Sequence, residues 1–126
     1  MRLLKRSNAD IELIKRASRG ALFDIQKEVE TNEAEFFSIG PCHFVVRSEQ
    51  TVRGKELVIV CMEGERMFPA MQVMIKNAVR QGFDCIRYHP ATKRSGKALA
   101  RIMSVNVHWN SSEQYYISYL GAKNGQ

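Results

Sequence analysis

The stretch from Glu56 to Pro90, ELVIVCMEGERMFPAMQVMIKNAVRQGFDCIRYHP, decides the fold. Leu57-Val58-Ile59-Val60-Cys61-Met62 is a continuous apolar run of strand length, as expected for a strand covered on both faces. From about Arg66 to Gln81 the period changes. Met67, Phe68, Met71, Met74, Ile75, Ala78 and Val79 recur at helical spacing, with Gln72, Lys76, Asn77 and Arg80 opposite them. Pro69 fits only in the first turn, where no amide donor is missed, and Gly82 supplies the C-terminal stop. Cys85-Ile86-Arg87-Tyr88-His89 then reads as a second strand. Because a helix crosses between them, the two strands are expected to run parallel.

Upstream, Ser7, Asn8 and Asp10 offer N-cap oxygens to a helical region after a short strand at Leu3-Leu4. Ile11, Ile14, Ala17, Leu22, Ile25 and Val29 share one face, and Gly20 divides the region into two helices that end near Thr31-Asn32. Phe36–Ile39 stops at the turn dipeptide Gly40-Pro41, and His43–Arg47 runs into a polar loop ending at Arg53-Gly54. Hairpins are expected to join these strands and Leu57–Met62 antiparallel. A short helix follows from about Ser95 to Met103, then a hairpin of Val105–Trp109 and Tyr115–Leu120 around Asn110-Ser111-Ser112. The fold class is therefore α/β (α+β): one domain over residues 1–126 with a mixed central sheet of about six to seven strands and helices on both faces.

Composition narrows the function. The chain has 126 residues, 44% hydrophobic and 25% charged, the balance of a soluble globular domain. No apolar run approaches the roughly 20 residues of a membrane helix, and Met1–Arg6 is no signal peptide, so a cytoplasmic location is expected. Cys42, Cys61 and Cys85 form no CxxC and read as buried free thiols; with His43, His89 and His108 equally dispersed, no metal site is expected. The net charge of +6 is segregated. Residues 76–101 carry seven basic and one acidic side chain, whereas residues 24–65 carry four basic against nine acidic. A basic face made by Arg87, Lys93, Arg94, Lys97 and Arg101 could meet an acidic protein surface, or nucleic acid. Thr92–Lys97 adds basic side chains and amides at a helix start, without the glycine spacing of a P-loop. Aromatic residues do not interleave with these cations as a stacking platform for nucleic acid requires.

The order of elements resembles the GNAT superfamily of N-acetyltransferases over almost the whole chain. Its carriers are the opening Met1–Ile14, the phrase Asn77–Ile86 (helix, glycine, aromatic, strand) and the closing short helix plus hairpin. The resemblance implies a GNAT-like fold and an acetyl-coenzyme A loop between Leu57–Met62 and the long helix. Met62, Gly64, Arg66 and Met67 would form that loop, with Glu63 as general base toward an amine. The chain departs from the family pattern there. The positions of the family's arginine or glutamine and two small residues fall near Met62, Glu65 and Met67, and Glu63 and Glu65 would oppose a diphosphate. Ala100 stands where the family often has a catalytic tyrosine. A kept scaffold with a lost motif is similar to small bacteriophage proteins, including internal virion proteins of T7-like phages. The expectation is a non-catalytic binding or structural protein, phage- or prophage-encoded, virion-associated or host-interacting, and either cytoplasmic or packaged in a virion, with no cofactor. A divergent acetyltransferase using acetyl-coenzyme A is the alternative, and a nucleic-acid-binding protein the second.

Overall fold

A computed structural model describes residues 11–15, 17–18, 20–89, 107–112 and 115–120. A 3-10 turn, Ile11–Ile14, precedes α1 (Leu22–Glu30), β1 (Glu35–Ile39), β2 (Cys42–Thr51), β3 (Gly54–Gly64), α2 (Met67–Arg80), β4 (Cys85–Tyr88), β5 (Val107–Asn110) and β6 (Tyr115–Tyr119). The protein is α+β, with one mixed six-stranded sheet in the order β1-β2-β3-β4-β6-β5 among the described residues. β1-β2 and β2-β3 are antiparallel hairpin pairs, and β3-β4 is parallel across α2, as the sequence predicts. The expected strand at Leu3-Leu4 and the expected helix near Ser95–Met103 lie outside the described residues.

Alternation along the strands sorts side chains into separate clusters. Phe37, Cys42, Phe44, Val46, Leu57, Ile59, Ile86 and Tyr88 pack with Ala70, Met71, Met74 and Ala78 of α2. Phe36, Val45 and Cys61 pack instead with Ile14 and with Ile25 of α1. The switch from Ile59 to Cys61 follows from a bulge: Val45 pairs with Cys61 but Val46 pairs with Ile59, so Val60 is the extra residue. One added residue flips the parity of β3, which is why Cys61 joins the α1 cluster and Met62 packs on the α2 cluster rather than the reverse.

α2 behaves as its sequence requires, with one correction, and another falls on the β2-β3 turn. Its C-terminus closes with Gly82 at φ +82, as Gly82 N–H donates to the Val79 carbonyl and Phe83 N–H to that of Ala78. That pair of bonds is a Schellman motif, with Phe83 and Ala78 buried together behind it. Phe68 and Val79, expected on the inner face, are 58% and 48% exposed. At 100° per residue they sit about 90–110° from the centre of the Met67–Met71–Met74–Ala78 arc, beyond what the sheet can cover. The second correction concerns the supposed polar loop before Gly54. β2 runs to Thr51 and the turn shrinks to Val52-Arg53.

Candidate functional site

The β3-α2 junction, residues Met62–Met67, was the expected ligand loop. The register places Phe44 opposite Met62, His43 opposite Glu63 and Cys42 opposite Gly64, so β3 pairs with β2 to its last residue. On its other side β3 pairs with β4 only from Glu56 to Ile59; from Val60 onward no described strand lies there. The bulge at Val60 therefore sits where the parallel pair ends.

The loop is tied into the fold at Glu63, Gly64 and Glu65. Glu63 Oε1 accepts a 2.7 Å hydrogen bond from Ala17 N–H, which ties the segment after the 3-10 turn to the sheet. Beside it, Ser38 Oγ lies 2.6 Å from His43 Nδ1. Gly64, at φ +129, runs against the Pro41 carbonyl so closely that a Cβ would collide with it. Glu65 N–H donates to that same carbonyl at 3.1 Å. Arg66, exposed and left-handed at φ +58, is the N-cap of α2 and makes no side-chain cap bond. Met62 and Met67 are half-buried and pack on the α2 cluster, as does the buried Tyr88, which stacks on Tyr116 at 5.3 Å. Burial raises the Tyr88 phenol well above its ordinary value, with Tyr116 adding to the effect. Of the orphan amides at the start of α2, Pro69 supplies none. The glycine that looked like a phosphate-cradling residue is thus accounted for by its approach to Pro41.

Arg87 faces its own protein. Its side chain is 16% exposed, donates to Glu49 Oε1 at 2.8 Å and approaches Glu56 Oε1 at 3.5 Å. Arg47 spans Glu28 at 3.2 Å and Glu49 at 3.6 Å, and Arg53 Nε donates to Glu56 Oε2 at 2.6 Å. The result is an alternating chain, Glu28–Arg47–Glu49–Arg87–Glu56–Arg53, of three cations and three anions. Thr51 Oγ1 donates a further bond to Glu56 Oε2, and the Arg53 and Arg87 guanidinium groups lie over the Tyr115 ring. Glu56 is fully buried; burial alone would raise its carboxyl, but bonds from Arg53 and Thr51 and the charges of Arg53 and Arg87 hold it below the ordinary value. Reciprocally, the bond to Glu56 raises Arg53. Lys93, Arg94, Lys97 and Arg101, the other expected cations, lie outside the described residues.

This ion chain escaped the sequence reading. A signal existed, because Arg47, Glu49, Thr51 and Arg53 alternate as residues on one strand face do, but a run of polar residues near a glycine read as a loop. All three cysteines are free and buried, and burial raises Cys42 and Cys61 to about 11 and Cys85 to about 12. No group of three or more His, Cys, Asp or Glu able to hold a metal occurs among the described residues. No helix among them is long and apolar enough to cross a membrane. No protein-family model matches the chain, and no curated protein matches it.

Proposed function

We propose that this chain is a GNAT-like domain that binds a protein partner and carries out no acetyl transfer. The sheet order, with its single parallel pair joined by α2, supports a GNAT-like layout. So does the sharing of alternate strand residues between α2 and the α1 region, which favours helices on both faces. One observation carries the loss of chemistry: the Glu65 amide is spent on Pro41, in the loop where a pyrophosphate would need it. The carboxylate proposed as base, Glu63, holds Ala17 in place. The partner we favour has an acidic surface met by Lys93, Arg94, Lys97 and Arg101, Arg87 being committed to Glu49 and Glu56. Likeness in layout to small bacteriophage proteins favours a virion-associated or host-interacting role.

Thermal unfolding with acetyl-coenzyme A tests the reading. A ligand present at about 100 times its dissociation constant adds about 2.7 kcal/mol of stability. The expected result at millimolar acetyl-coenzyme A is an unchanged melting temperature, and a clear rise overturns the non-catalytic reading. A divergent N-acetyltransferase is the second reading, supported by the side of Val60–Gly64 that no described strand covers. It requires a measurable acetylation that Glu63→Gln abolishes while the protein stays folded.

A further inference from the structure

α2 carries a second apolar stripe that the sheet does not use. Phe68 and Val79 are exposed, and the half-buried Ile75 lies between them. At 100° per residue the three fall within about 40° of one another and run about 16 Å along the helix. Single apolar residues on a surface are ordinary. These three instead share one ridge, the arrangement by which a helix anchors against another apolar surface. Val73, also exposed, adds an apolar side chain on the far flank.

Charge beside this stripe has one sign. Lys76 and Arg80 stand exposed along its outer edge, and Arg66 is exposed at the N-cap. The side chains of Arg66 and Lys76 make no hydrogen bond or ion pair among the described residues, and Arg80 reaches only Asn77, at 3.4 Å. α2 itself, MFPAMQVMIKNAVR, contains no carboxylate that could pair with them across a helical turn. The acidic residues nearest in sequence lie beyond its ends. Glu65 precedes the N-cap, and the Asp84 carboxylate already accepts the Lys55 amide at 2.8 Å. Unpaired cations beside an apolar ridge complement a surface that is apolar at its centre and acidic at one edge. A second copy of this chain would bring a further set of the same cations to the contact, where like charges repel. An amphipathic helix packs on such a ridge with about 8–10 Å between axes, close enough for its carboxylates to reach Lys76 and Arg80.

We propose that the outward face of α2 docks an acidic amphipathic helix of a partner protein. Phe68, Ile75 and Val79 meet its apolar side, and Lys76 and Arg80 meet its carboxylates. This goes beyond the reading above, whose contact is made by Lys93, Arg94, Lys97 and Arg101. Its test alters none of those residues and involves no coenzyme A, so the two fail independently. Fluorescence polarisation with labelled peptides of about 15 residues tests it on the full chain. The first peptide is alanine-based, with leucines along one helical face and glutamates along one edge of that face. The second replaces each glutamate with lysine, and the third keeps the first composition but spreads its leucines around the helix. The protein variants are Val79→Lys and Lys76→Glu, both at exposed positions, with circular dichroism as the check on folding. The first peptide should bind, weaken with added salt, and lose at least about tenfold in affinity on either substitution. The second and third should not bind. Failure of the first peptide to bind at millimolar concentration overturns the proposal, as does equal binding by either other peptide or by both variants. Pelleting with phosphatidylserine vesicles, or dimerisation in sedimentation equilibrium, that Val79→Lys abolishes would assign the face to lipid or to a second copy and likewise overturn it.

Discussion

Glu56 answers two opposing demands, full burial and full charge. It meets them with Thr51, Arg53 and Arg87, so neutralising it leaves two guanidinium groups short of a partner. Glu56→Gln should destabilise the protein by about 3 kcal/mol in urea unfolding at pH 7. The pH dependence follows from the direction of its shift. Because the folded-state value lies below the ordinary 4.5, its stabilisation is complete above that pH and is lost as pH falls through the folded value. Glu56→Gln should therefore flatten the acid limb of the stability curve, and an unchanged limb would show that other carboxylates govern it. The thiols shift the other way. With values raised from 9.0 to about 11 or 12, their contribution is intact below pH 9 and fades as pH rises through that range. At pH 8 a disulfide reagent should find no reactive thiol in the native protein and all three after unfolding.

At the scale of the element, the β3-α2 junction and the end of α2 use glycine for different reasons. Gly82 is left-handed in open space, so Gly82→Ala meets only backbone strain and should destabilise by about 1 kcal/mol. Gly64→Ala adds a collision with the Pro41 carbonyl and should exceed about 2 kcal/mol; equal effects would refute the close packing of that turn. The inner arc of α2 sorts in the same way. Met71, with no exposed surface, should lose about 3 kcal/mol on replacement by alanine, whereas Val79→Lys, on the outer flank, should stay within about 0.5 kcal/mol. The helix boundaries, its cap and its buried face were legible because a single period of 3.6 recurs over 14 residues with proline and glycine at its ends. The exposed flank was not, because apolar identity says nothing about how wide an arc a sheet can cover.

Across the whole molecule, segregated charge in the sequence became paired charge in space. Arg87 comes from the basic stretch and Glu49 and Glu56 from the acidic one, and the sheet sets β4 beside β3, itself paired with β2, so that they meet. A basic residue counted as a partner contact thus serves the interior. The sequence by itself determined the order of the described elements from α1 to β6, the three antiparallel hairpins, the parallel strands joined by α2 and the burial of the cysteines. Those features rest on local periodicity and turn chemistry, which a linear pattern records. The tertiary structure alone decided the bulge at Val60, the capture of the Glu65 amide by Pro41 and the ion chain through Glu56. Each depends on which residues of distant strands come into register, and pairing across a sheet is a relation between segments that no segment carries alone.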